Sequence, residues 1–97
     1  MYVILTSKPG EFRSELGEGM RLVEIYDYMF CGRKRAQFAI AELAGEAKVR
    51  IIDEGSPPSV NLVPSKFLPT FASVEKARAE LEQLVSFGDL DASLVRR

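Results

Sequence analysis

The chain has 97 residues, 46% of them hydrophobic and 28% charged, with a formal net charge of -1 and no histidine. That length suits one domain over 1–97, the balance of hydrophobicity and charge argues against disorder, and near-neutrality leaves no global field to draw the protein onto nucleic acid or an anionic membrane. Without imidazole there is no Ser-His-Asp or Cys-His arrangement, and the usual zinc, copper and non-haem iron sites are disfavoured.

Tyr2 to Thr6 (YVILT) is a short β-branched and aromatic run closed by Pro9-Gly10, which predicts a strand over 2–6 ended by a turn. Residues 11–21 are polar, and Gly17 and Gly19 break any helix, so a loop or short irregular strand is expected there. Leu22 to Cys31 (LVEIYDYMFC) is the strongest strand pattern in the chain. Period two places Tyr26, Tyr28 and Phe30 on one face and Val23, Ile25, Asp27, Met29 and Cys31 on the other. Gly32-Arg33-Lys34-Arg35 reads as a charged hairpin loop.

Residues 36–43 (AQFAIAEL) fit a helix through their alanines and a strand through the alternation of Phe38 and Ile40. The strand is preferred, because short flanking loops then make an antiparallel meander with the neighbours. Lys48 to Asp53 follows as a further strand with Val49 and Ile51 inward. Residues 54–72 hold four of the five prolines, which predicts an extended strap. Its apolar side chains either close the core or face a partner, and core closure is preferred. Val74 to Phe87 is an amphipathic helix with Ser73 as N-cap and Glu75 in the first turn. Val74, Ala77, Leu81, Leu84 and Val85 form its apolar stripe, Lys76–Glu80 and Arg78–Glu82 pair on the solvated side, and Gly88 ends it. The tail beyond either frays or docks Leu90 and Leu94 in a short turn.

The expected fold is therefore α+β: a small antiparallel sheet or partly closed barrel of about four or five strands with the C-terminal helix packed on it.

Candidate chemistry is sparse. No GxxxxGK[ST] loop occurs, and Gly17-Glu18-Gly19 lacks the third glycine of a dinucleotide fingerprint. Asp89-Leu90-Asp91 has two carboxylates but no EF-hand continuation. No catalytic residue, metal ligand or cofactor is assigned, and an enzyme is disfavoured without being excluded, since carboxylate, lysine and tyrosine chemistry remains. Cys31, the single cysteine, forms no internal disulfide. It is expected to be a buried or half-buried structural thiol, with a reactive thiol beside the basic cluster as the alternative. The start MYVILTSKPG lacks the basic and apolar regions of a signal peptide, and no apolar run approaches the ~18–20 residues that span a bilayer. A cytoplasmic protein without membrane contact is expected.

Two surfaces remain as binding candidates. Tyr26, Tyr28 and Phe30 beside Arg33, Lys34 and Arg35 combine stacking rings with phosphate-binding cations, as single-stranded nucleic-acid binders do; packing of the rings into the core competes with this and is preferred. Pro64 and Phe67 sit in the strap, at Val63-Pro64-Ser65-Lys66-Phe67-Leu68.

Glu24-Ile25-Tyr26-Asp27-Tyr28 resembles the ALYDY strand of SH3 domains, and residues 63–68 are similar to their closing PSNYV segment. The resemblance implies at most a small SH3-like barrel with Tyr26, Tyr28 and Pro64 along a groove for proline-rich ligands. The chain departs from that family in having no tryptophan, a basic GRKR in place of an acidic loop, and a short separation between the two motifs.

The function these observations favour is a non-enzymatic protein-interaction domain, an accessory or regulatory subunit that binds another chain or a second copy of itself. A single-stranded RNA or DNA module is the disfavoured alternative, and a small enzyme without histidine the third.

Overall fold

The protein, taken as a computed structural model whose described residues are 1–86 and 92–97, is built from two antiparallel sheets and a helix. The strands are β1 (Tyr2–Ser7), β2 (Phe12–Glu15), β3 (Met20–Phe30), β4 (Arg33–Leu43), β5 (Lys48–Asp53), β6 (Ser59–Pro64) and, after helix α1 (Val74–Ser86), β7 (Ala92–Arg96). The order is β1-β4-β3-β7 in one sheet and β2-β5-β6 in the other.

Alternation along the central strands makes three layers. One face of the four-stranded sheet carries Tyr2, Ile4, Tyr26, Phe38, Ile40 and Leu94 against Ala77 and Leu81 of α1. The opposite face carries Val3, Leu5, Ala39 and Ala41 against Val49, Ile51 and Leu68. Ile40, Leu81, Val3 and Val49 are fully buried.

The single meander expected through 22–53 is corrected. β4 is already paired with β3 on one side and β1 on the other, so β5 has no free edge to join. It crosses over to pair with β2, the short strand in the polar stretch 11–21, and with β6, which occupies the middle of the strap. Gly17 makes the crossing tight: a Cβ there would overlap the Lys48 carbonyl. The strands form two separate sheets and no closed barrel. Tyr26 packs towards α1, while Pro64 belongs to the other sheet, so they share no groove.

The GRKR loop is also corrected. Phe30 pairs with Arg33 across a two-residue turn in which Cys31 and Gly32 have φ of 51° and 73°. Positive φ at both centres is the type I′ geometry that matches strand twist. Arg33, Lys34 and Arg35 therefore stand on β4. The turn also leaves Cys31 exposed, which corrects the buried or half-buried thiol.

On β3 a bulge between Leu22 and Glu24 moves Val23 to the helix side, with the Ile40 cluster, opposite to the face expected of it. Ser73 caps α1 by accepting from the Lys76 amide at 3.2 Å. Leu84 is half-exposed, which removes it from the packed stripe. The tail forms β7 on β3, and Leu94 docks under α1. The expectations placed on Phe87 as the helix end, on Gly88, on Leu90 and on Asp89-Leu90-Asp91 lie outside the described residues. Among the described residues, no helix is long and apolar enough to cross a membrane.

Candidate functional site

The aromatic row does not present an open platform. Tyr26 is half-buried against α1 and donates its hydroxyl to Glu24 Oε1 at 2.9 Å. Tyr28 meets Phe38 edge to face, with centroids 6.2 Å apart. Phe30 lies beneath the Arg35 guanidinium, 5.8 Å from its ring centroid. Of the basic residues, Lys34 crosses to the opposite face and pairs with Asp27 at 3.2 Å. Arg33 and Arg35 remain exposed at the hairpin end. Every ring of the row thus has a neighbour in the fold before any base could stack on it.

Sequence reasoning missed the charged centre beneath this row. Glu24 shares the alternation of Tyr26 and faces α1, where it is only 5% exposed. Its carboxylate accepts from Tyr26, from Arg78 Nε at 2.7 Å and from a second Arg78 nitrogen, and Arg96 Nη2 lies 2.8 Å away. Arg78 was expected to pair with Glu82 on the solvated face; a buried carboxylate within reach is the stronger partner because it has little water to compete. The Arg78 hydrogen bonds hold Glu24 down at about 2, against the opposing effect of burial. Burial and the bond to Glu24 push Tyr26 up. A carboxylate held that low neither takes nor gives a proton near neutrality, and its geometry is that of a clasp joining β3, α1 and β7. The available signal was an acid placed in phase with an aromatic row.

Beside the clasp runs a groove of about 390 Å³ lined by Tyr26, Arg78, Leu81, Glu82, Val85, Ala92 and Leu94. On the far face, Asp27 accepts from Gln37 and Arg97 and pairs with Lys34. Burial opposes its ionisation, but the Lys34 and Arg97 bonds outweigh this and keep it below the usual aspartate range. Among the described residues, no three Cys, Asp or Glu side chains gather to hold a metal ion.

The strap divides its side chains. Val63 and Leu68 line the space between the sheets, and Phe71 joins the helix-side cluster while its backbone pairs with Tyr2. Ser65 is buried and locks the strap to β5, donating its amide to the Ala47 carbonyl at 2.7 Å and accepting from the Ala47 amide at 3.0 Å. Val60, Leu62 and Phe67 are left outside, 52%, 57% and 71% exposed. Pro64 is half-buried between these two groups. Core closure, the preferred role for the strap, therefore describes only part of it.

Comparison with family models, with curated proteins and with solved structures finds no match.

Proposed function

We propose that the protein is a non-enzymatic protein-interaction domain, an accessory or regulatory subunit whose binding face is the outer side of the strap. The observation that carries this reading is the apolar group Val60, Leu62 and Phe67, exposed on an edge strand and the turn that follows it. An apolar edge that adds one more strand is a recurrent way of binding an extended partner. The aromatic strand is the weaker candidate, because its rings are engaged with α1, Phe38 and Arg35.

The test is affinity purification of the full chain from its native cell followed by mass spectrometry, comparing wild type with Leu62→Asp/Phe67→Ser. Both side chains are exposed, so the double variant keeps the fold. A protein recovered in stoichiometric amount with wild type and lost with the variant supports the reading. Nucleic acid recovered with both, released by salt, overturns it in favour of the hairpin end with Arg33 and Arg35.

A further inference from the structure

We propose that the free edge of β6 pairs with the β6 edge of a second copy of the chain, fusing two three-stranded sheets into one continuous sheet. The proposal rests on the strap as the interaction face and names its occupant.

The direction of the backbone groups follows from two hydrogen bonds. The Ser65 amide points to Ala47, on the β5 side. The Glu54 amide bonds Glu11 on the β2 side, so Asp53, Ile51 and Val49 point towards β6. Both fix the same parity: Ser59, Asn61 and Val63 bond β5, while Val60, Leu62 and Pro64 face outward. Pro64, which has no N–H, falls on the outward side, where the ladder with β5 loses nothing.

This edge carries none of the charges that commonly keep edges apart. Residues 55–65 are uncharged, with Glu54 at one end and Lys66 at the other. An antiparallel two-fold pairing centred on Asn61 sets Val60 of each copy opposite Leu62 of the other, and the outward N–H and C=O groups of both residues find partners; Pro58 of each copy then faces Pro64 of the other, and the shared ladder ends at these prolines. The same operation brings the Asp53–Glu54 end of each sheet alongside the Lys48 and Lys66 end of the other copy. All four side chains are exposed. Glu46 beside Lys48 and Lys66 offsets part of that positive end without cancelling it, so the charges are complementary in the antiparallel arrangement and would clash in a parallel one. Val60 and Leu62 then form one apolar row across the two-fold axis, as opposed pairs do in sheets. The formal net charge of -1 adds little long-range repulsion.

The experiment uses the full chain with a photo-cross-linking amino acid at Leu62, alongside sedimentation equilibrium of wild type, Leu62→Lys and Val95→Lys. Val95 is half-exposed away from this edge. The expected result is a dimer with a cross-link between copies. Leu62→Lys should weaken association by about tenfold or more through like charges at the axis, with unchanged circular dichroism, and Val95→Lys should leave it unaltered. A monomeric chain that cross-links to a different protein in cell extract overturns the self-pairing and leaves the interaction face standing. A monomeric chain that cross-links to nothing overturns both.

Discussion

The Arg96 guanidinium lies 2.8 Å from the Glu24 carboxylate, so the last strand is anchored on a buried acid that the helix already holds through Arg78. The next residue does the same on the other face of β3, where Arg97 bonds Asp27 at 2.9 Å. Two neighbouring arginines thus straddle the central strand, and β7 is fixed by charge as well as by its ladder.

The Glu24 clasp should make stability depend on acid. Its carboxyl titrates at about 2 in the fold against an ordinary 4.5, so the folded state binds its proton less readily than the unfolded chain does. The contribution is complete above 4.5 and is lost as pH falls towards 2. Asp27, also lowered, adds to the same trend. Denaturation midpoints measured from about pH 5 down to about pH 2 should fall more steeply for wild type than for Glu24→Gln. Parallel curves would show that the carboxylate gains nothing from its partners.

Removing the two arginines should not cost the same. Arg78 donates through two nitrogens, whereas Arg96 approaches through one at the strand end. Arg78→Met should lower the melting temperature more than Arg96→Met, and in a Glu24→Gln background the difference should shrink. Equal losses in both backgrounds would mean that the guanidinium stems matter only as packing.

On α1, Leu81 is fully buried while Leu84 is half-exposed. Leu81→Ala should cost about 2–5 kcal/mol in urea unfolding, and Leu84→Ala should stay within about 0.5 kcal/mol. Comparable losses would place both leucines in the core.

At the crossing between the sheets, Gly17→Ala drives a methyl group into the Lys48 backbone, whereas Gly45 has open space around it. The first substitution should cost at least about 1–3 kcal/mol, the usual range for overpacking, and Gly45→Ala should leave the melt close to wild type. A silent Gly17→Ala would show that β2 and β5 separate easily.

Much of the local structure was legible because it depends on local periodicity. The alternation of Phe38 and Ile40 marked β4, and Ser73 with the spacing of Ala77 and Leu81 marked α1. Which strand joins which sheet was not legible, because it depends on which edges are already occupied: β5 is as good a strand pattern as β4, yet both sides of β4 were taken. The bulge at Val23 hid the true facing of that residue, since simple alternation cannot anticipate an inserted position. For the candidate surface, the sequence singled out Pro64 and Phe67 and counted Val60 and Leu62 only among the strap's apolar side chains, which either close the core or face a partner; that these two lie outside is settled only once β6 is seen to be an edge. The Glu24–Arg78–Arg96 clasp joins side chains from three distant parts of the chain, a relation no local pattern carries.

Amide hydrogen exchange at Val60 and Leu62, followed in the full chain as its concentration is raised, bears most directly on the role of the strap edge. Both amides should exchange quickly in dilute solution and become protected as copies associate, while Asn61 and Val63, bonded to β5, change little. Exchange at Val60 and Leu62 that stays fast at every concentration, and stays fast when extract from the native cell is added, would contradict the account.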